Sequence, residues 1–268
     1  MPLLDDALLE ALIATTLAAG RIVMQVYDGG FAVEHKGDAS PVTEADRLAE
    51  VVILADLARL APEIPVVAEE SCAEGRIPTV GRTFFLVDPV DGTREFINRN
   101  GDFTVNIGLI RDGVPVLGLV YAPARGDLYA GRAGQGAEHL AIVDFQVAAR
   151  RAIRVTEPAR NPPRILASRS HGTPETDAFI ARFPGATLVQ AGSSLKFCRM
   201  AAGEADLYPR MGPTMQWDTA AGDAVLRAAG GRVETVGGAP LAYGPGPGEG
   251  VSAYANPWFV ARGGQAGA

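Results

Sequence analysis

The stretch FFLVDPVDGTREF, residues 84–96, constrains this chain more than any other. Phe84, Phe85, Leu86 and Val87 make an apolar run that reads as a buried strand, and the run stops on Asp88. Asp91 follows three residues later, across Pro89 and Val90, and Gly92-Thr93 then leads into a helix-like segment. An unpaired carboxylate at the end of a buried strand is expensive. Any fold built on this strand must therefore bring positive charge to its tip.

The rest of the chain narrows what that charge is. Its 268 residues suffice for one large domain or two moderate ones with a shared core. The net charge of -7 argues against a nucleic acid polymer as partner, since that needs a broad basic face. A small phosphorylated ligand remains compatible. Only three histidines, His35, His139 and His171, and two cysteines, Cys72 and Cys198, are present. None are grouped at zinc-ligand spacing. The cysteines lie far apart and read as free buried thiols of a reducing cytoplasm. The first ten residues carry Asp5, Asp6 and Glu10 and no basic segment, which predicts no secretory signal. No wholly apolar run of about 18 residues suggests a membrane span.

Hydrophobic periodicity predicts a helix over 3–27, a loop or short hairpin over 28–41, and a helix over 41–63 with Thr43 as N-cap. A β-rich run (64–71), the strand 82–88, two strands over 103–123 joined at Asp112-Gly113, and a hairpin over 126–137 follow. The Gly-x-Gly of that hairpin is a turn signal. Proline and arginine gather at 149–163 and suggest a boundary between halves 1–150 and 151–268. Beyond it the pattern alternates: strand 164–170, helix 173–185, extended 186–194, helix 194–204, strand 205–211, helix 217–231 and a final strand 232–236.

Acidic residues recur where elements start or stop: Asp46, Glu69-Glu70, Asp88 with Asp91, and Asp218. Such positions are where α/β proteins assemble sites. Oxygen ligands without clustered histidine or cysteine select Mg²⁺, Mn²⁺ or Ca²⁺. A tight turn on Pro89 would aim both carboxylates and the Val90 carbonyl at one point. Free N–H groups at Gly92-Thr93, with a helix dipole behind them, would seat a phosphate. Each residue also has a plainer role. Asp46 can close a capping box begun by Thr43, and Asp91, Thr93 or Asp218 can be N-caps. Glu69-Glu70 can be solvated loop charges. Together these roles leave Asp88 unexplained.

DPVDGTREF and WDTAAGDAVLRAAGG resemble, in order and separation, the two signatures of the inositol monophosphatase-like, Mg²⁺-dependent, lithium-sensitive phosphatases. SPVTEAD and AEES fall where that family places its other acidic segments, and the resemblance covers nearly the whole chain. DGTREFINRNGDFTVNIGLI, SRSH, GSSLKFC and LYPRMGPTMQWDTAAG are similar to the CysQ-type 3'(2'),5'-bisphosphate nucleotidase branch. The Gly/Pro-rich stretch 237–250 departs from familiar members, a difference that bears on the site rim and not on the acidic segments.

The resemblance implies an α/β fold, a layered αβαβα sandwich with the site between an α+β half and an α/β half. It implies two or three Mg²⁺ ions held by Glu69, Asp88, the Val90 carbonyl, Asp91 and Asp218, with Glu70 as a helper. Gly92 and Thr93 would seat the phosphate, and Thr93 with Asp46 would position the attacking water beside Glu69. Ser168, His171, Ser194 and Lys196 fall where nucleotidases contact nucleotide. Without the resemblance, His171 reads equally as a loop cap and Lys196 as a solvated helix lysine. The implied reaction removes the 3'-phosphate of adenosine 3',5'-bisphosphate, in sulfate assimilation. Its rivals are an inositol-1-phosphate or fructose-1,6-bisphosphate phosphatase and a binding protein without turnover. The resemblance implies a cytoplasmic enzyme, leaving open a homodimer and peripheral association with the inner membrane surface.

Overall fold

The computed structural model describes residues 5–30, 33–35, 41–157, 159–168 and 172–264. The first helix, α1 (Asp6–Gly29), is capped by Asp5, whose Oδ1 accepts the Leu8 N–H at 2.8 Å. A short antiparallel pair follows, β1 (Val33–His35) with β2 (Pro41–Thr43), and then α2 (Glu44–Leu60). Next come β3 (Val66–Ala68), a five-residue α3 (Glu69–Ala73), β4 (Thr83–Asp91) and a five-residue α4 (Thr93–Ile97). Then β5 (Thr104–Arg111), β6 (Val114–Ala122), β7 (Asp127–Arg132), β8 (Gly136–Val143) and β9 (Gln146–Ile153) run as a meander. β3 pairs parallel with β4, and each later neighbour is antiparallel, giving a seven-stranded sheet in chain order β3 to β9. The expected Asp112-Gly113 turn joins β5 to β6 with both residues at positive φ, 53° and 75°. That is the backbone a two-residue hairpin loop needs.

The second half holds β10 (Arg164–Ser168), α5 (Pro174–Ile180), β11 (Thr187–Ala191), α6 (Leu195–Ala201), β12 (Leu207–Arg210), α7 (Ala220–Ala228), β13 (Arg232–Thr235) and β14 (Phe259–Arg262). Its five-stranded sheet has the order β11-β10-β12-β14-β13, parallel across β11, β10 and β12, with β14 antiparallel to both of its neighbours.

Apolar faces stack these elements into five layers. Leu12, Val23, Ile53 and Leu57 of α1 and α2 bury against Phe85, Val87, Ile107 and Leu119 of the large sheet. The opposite face, through Phe84, Leu86 and Val120, shares a core with Phe197 of α6, Val225 and Leu226 of α7, and Tyr208 and Phe259 of the small sheet. Phe179 and Ile180 of α5 cover the far side over Ile165, Leu207 and Val260. The αβαβα sandwich is the architecture expected, and its middle core belongs to both halves.

α7 lies close to the large sheet because of three glycines. Gly108, Gly118 and Gly131 are directly paired neighbours on β5, β6 and β7. A Cβ at Gly108 would lie 3.0 Å from the Ala220 Cβ, and one at Gly118 would meet the Ala221 carbonyl and lie 2.7 Å from the Ala224 Cβ. One at Gly131 would fall on the Val225 backbone. A side-chain-free trough thus receives the small residues of TAAGDAV.

Several boundaries differ from expectation. β4 does not end in a turn at Asp88 but continues to Asp91, with its register shifting between these residues: Asp88 faces Asn106, and Asp91 faces Thr104. Pro89 and Val90 together oppose Val105, a bulge that tolerates a proline without a donor N–H. Glu69-Glu70 open α3 rather than end a strand, and Asp218 closes a short 3₁₀ turn, Gln216–Asp218, ahead of α7. The large sheet ends at Ile153, just beyond 150. β14 was not anticipated and lies inside the small sheet between β12 and β13, where β13 takes the edge. α1 is long and apolar enough by composition to cross a membrane, unlike the expectation, yet 56% of that window is buried within the protein.

Candidate active site

The exit of β4 builds the site. Asp88 is buried at 1% exposure, and its Oδ1 accepts the Val90 N–H at 3.0 Å, within the bulge. Gly92 then takes a left-handed φ of 88°. A Cβ there would stand 3.2 Å from the Ser193 Cβ and 3.3 Å from the Asp102 carbonyl, so position and backbone both select glycine. Thr93 opens α4, and its hydroxyl donates to the Val90 carbonyl at 3.3 Å. With only five residues, α4 has little macrodipole. The seat expected at Gly92-Thr93 is therefore local, the first N–H groups of one turn.

Two other segments bring charge to this exit, and a third ties them to it. Glu69 arrives at the start of α3, which Glu50 of α2 holds in place. The Glu50 carboxylate accepts the N–H groups of Glu70 and Ser71, both at 2.8 Å, and the Ser71 hydroxyl at 2.6 Å. Asp218 arrives ahead of α7, with Oδ2 accepting the Met215 N–H at 2.9 Å. Ser194, before α6, ties the halves together. Its N–H and hydroxyl donate to Asp91 Oδ2 at 2.6 and 2.8 Å, and the hydroxyl lies 2.6 Å from the Asp218 carbonyl oxygen. Asn106 on β5 donates to the Ser194 Oγ at 2.9 Å.

The electrostatics of this cluster are one-sided. Burial pushes the Asp88 carboxyl well up, and the charges of Glu69, Asp91 and Asp218 push it further. Burial does the same to Asp218, with Asp91 and Glu69 adding and the Met215 N–H and Arg210 opposing. Asp91 is raised by burial against Lys196 and Ser194, which hold it down. Protein cations among the described residues leave the cluster under-compensated. Among the described residues, no three acidic, histidine or cysteine side chains stand as a ready-made ion cage. Their oxygens are turned onto Ser194, Met215 and Val90, and Asp88 shares a hydrogen bond with Glu69. Closing on an ion means exchanging such bonds. The donor set, carboxylates plus the Val90 carbonyl, has the hard-oxygen chemistry of a Mg²⁺ site.

A cleft of about 260 Å³ opens over the cluster. Glu69, Asp91, Gly92, Thr93, Lys196 and Asp218 line it, so one place collects six of the expected residues. Lys196 is buried, donates to the Ser193 carbonyl at 2.7 Å and faces the Tyr208 ring at 5.3 Å, so it is not the solvated lysine of the plainer reading. Asp46 and Ser194 are not among the residues that line the cleft. Asp46 is buried, and its Oδ2 accepts the Thr43 N–H at 2.8 Å and hydroxyl at 2.7 Å, the capping box of α2. Ser194 is buried at 1% exposure behind Asp91, and its neighbour Ser193 is the serine that lines the cleft. Ser194 spends its N–H and hydroxyl on Asp91 and the Asp218 carbonyl. His171 and the Ser168 side chain lie outside the described residues; the Ser168 backbone pairs with Ala191 at the end of β10.

The sequence reading missed Arg94 and Arg210 on the cleft wall. Arg210 ends β12 at 8% exposure, donates to the Pro213 carbonyl at 2.7 Å, and its buried Nε has no partner among the described residues. A signal was present: an arginine inside the strand-like LYPRM carries charge where burial is expected.

Fold and cleft together define a relationship that sequence matching makes explicit: the chain belongs to the inositol monophosphatase family, whose profile matches residues 5–261. Within it, the chain is 44% identical over 243 residues to the 3'(2'),5'-bisphosphate nucleotidase CysQ of Shigella flexneri, covering 90% of this chain and 94% of that protein. It is 43% identical to the Salmonella typhimurium protein of the same name over 254 residues, covering 94% and 98%. The crystal structure of CysQ from Bacteroides thetaiotaomicron is similar with a TM-score of 0.77 at 37% identity, covering 95% and 97% of the chains. A Thermotoga maritima IMPase is similar with a TM-score of 0.75 at 25% identity, covering 95% and 91%.

Proposed function

We propose that this chain is a Mg²⁺-dependent phosphomonoesterase that hydrolyses the 3'-phosphate of adenosine 3',5'-bisphosphate to AMP and phosphate. The observation that carries this reading is the under-compensated cluster of Glu69, Asp88, Asp91 and Asp218 at the base of a cleft whose wall holds Arg94, Lys196 and Arg210. The nucleotidase names of the relatives support the choice of substrate.

Glu69, Asp88, the Val90 carbonyl, Asp91 and Asp218 would hold the Mg²⁺ ions, which when bound neutralise phosphoryl charge and acidify water. The amides of Gly92 and Thr93 bind phosphoryl oxygens. The Thr93 hydroxyl, with Asp46 in the element beside it, orients the attacking water and takes up its proton. β2, next to Asp46 in sequence, packs against α4, which brings these two segments together. Ser194, Asn106 and Lys196 fix Asp91. Water attacks phosphorus directly, the ester P–O bond breaks, and the 3'-oxygen leaves with a proton; no phosphorylated protein forms. The buried thiols suit a reducing cytoplasm: burial pushes Cys72 up to about 11 and Cys198 well above its usual value.

The fold shared with inositol monophosphatases favours one second reading, inositol-1-phosphate hydrolysis. Phosphate release from adenosine 3',5'-bisphosphate, inositol-1-phosphate and fructose-1,6-bisphosphate, with Mg²⁺ and with or without Li⁺, separates them. The proposal expects the highest kcat/KM on the nucleotide and inhibition by Li⁺. Higher turnover of the inositol ester overturns the substrate choice.

A further inference from the structure

Among the described residues, three cations line the cleft, and two of them are already committed. Lys196 is buried, bonds the Ser193 carbonyl and stands beside Asp91. Arg210 is buried, bonds the Pro213 carbonyl and stands beside Asp218. Their charge opposes carboxylates of the cluster. Arg94 differs in each respect. It is exposed on α4, directly follows Thr93, lines the cleft, and has no ion pair or hydrogen bond from its side chain among the described residues.

A substrate with two phosphates presents the cleft with two separate charge problems. The phosphate that reacts lies over the carboxylate cluster and its cations. The phosphate that does not react carries a full charge and needs its own partner, with no carboxylate competing for that partner. A guanidinium is suited to this task, since its planar fork matches phosphate oxygens in pairs. An uncommitted arginine one residue from the phosphate seat, on a long side chain at the cleft mouth, is placed to reach such a group.

Resting on the bisphosphate reading above, we infer that Arg94 binds the non-reacting phosphate and sets the preference for a bisphosphate over a monophosphate. It is a specificity-determining residue, in contact with substrate away from the bond that breaks. Charge is its main contribution, so lysine largely replaces it and glutamine does not.

The test compares kcat/KM for adenosine 3',5'-bisphosphate and for adenosine 3'-monophosphate, which lacks the second phosphate, with Mg²⁺, in wild type, Arg94→Gln, Arg94→Lys and Arg210→Gln. Arg94 is exposed and unpaired among the described residues, so its substitution leaves the core intact. The expected result is a wild-type preference for the bisphosphate that falls tenfold or more in Arg94→Gln, chiefly through KM, and is largely kept in Arg94→Lys. An unchanged preference in Arg94→Gln overturns the inference and leaves the nucleotidase reading standing, as does a loss confined to Arg210→Gln. A wild type that does not hydrolyse the bisphosphate overturns both.

Discussion

Gly118→Ala tests the link between the glycine trough and the site. Gly118 sits on β6, where an added Cβ would meet the Ala221 carbonyl and lie 2.7 Å from the Ala224 Cβ. Neither obstacle is the flexible end of a long side chain, so α7 itself must move. Overpacking of this kind costs about 1–3 kcal/mol, and a backbone obstacle puts the cost near ~3 kcal/mol. For a chain of this size each kcal/mol moves Tm by roughly 2–4 °C, so thermal unfolding should shift down by roughly 6–12 °C. The shift should also reach the chemistry, because Asp218 sits two residues before α7. Misplacing an active-site group by about 1 Å can cost ~100-fold in rate. Scanning calorimetry and steady-state phosphate release measure both effects. Gly81→Ala is the control: a Cβ there meets nothing within 4 Å. A Gly118→Ala protein that melts within 2 °C (roughly 1 kcal/mol) of wild type at full activity would refute the packing argument.

Two further outcomes follow from particular bonds. Ser194→Ala removes the hydroxyl shared by Asp91, Asn106 and the Asp218 carbonyl. Leaving such partners unsatisfied costs about 1–3 kcal/mol, so the Mg²⁺ concentration for half-activation should rise about tenfold. A rise confined to substrate KM would instead place Ser194 on the nucleotide. Burial pushes the Asp223 carboxyl up to about 6 from 3.8, against the pull of Arg227 and the Tyr243 hydroxyl. The folded state therefore holds this proton more tightly than the unfolded chain. The resulting stability is complete below about pH 3.8 and lost as pH rises through about 6. Urea unfolding between pH 4 and 7 should show the wild-type minus Asp223→Asn stability falling by about 2 kcal/mol. A flat difference would contradict the shift.

How far the sequence reveals this molecule depends on the range of the interactions involved. Local signals sufficed where one segment decides its own form. The Asp112-Gly113 hairpin and the Thr43 N-terminus of α2 are examples. β14 was illegible because four residues after a Gly/Pro-rich stretch have no period, and only pairing with β12 and β13 makes them a strand. The bulge at Pro89-Val90 was likewise hidden, since it is defined by the partner strand. In the site, carboxylates at element ends drew attention to the residues that meet at the β4 exit. Which serine of GSS faces the cleft depends on φ at Ser193, 44°, and on bonds to residues about a hundred positions away. Glu50 gave a weak signal, a charge on the inward face of α2 between Ala49 and Ile53.

The central claim is that the carboxylates gathered at the end of β4 exist to hold a cation. Calorimetric titration of Mg²⁺ into wild type and into Asp88→Asn tests it most directly. Asp88 shares a hydrogen bond with Glu69 and feels the charges of Asp91 and Asp218, and metal-site changes typically cost ~10–100-fold in affinity even outside the ligand set. The account predicts saturable binding by wild type, weakened about 100-fold or more in Asp88→Asn. Equal affinity in the two proteins, or no binding by wild type, would contradict it.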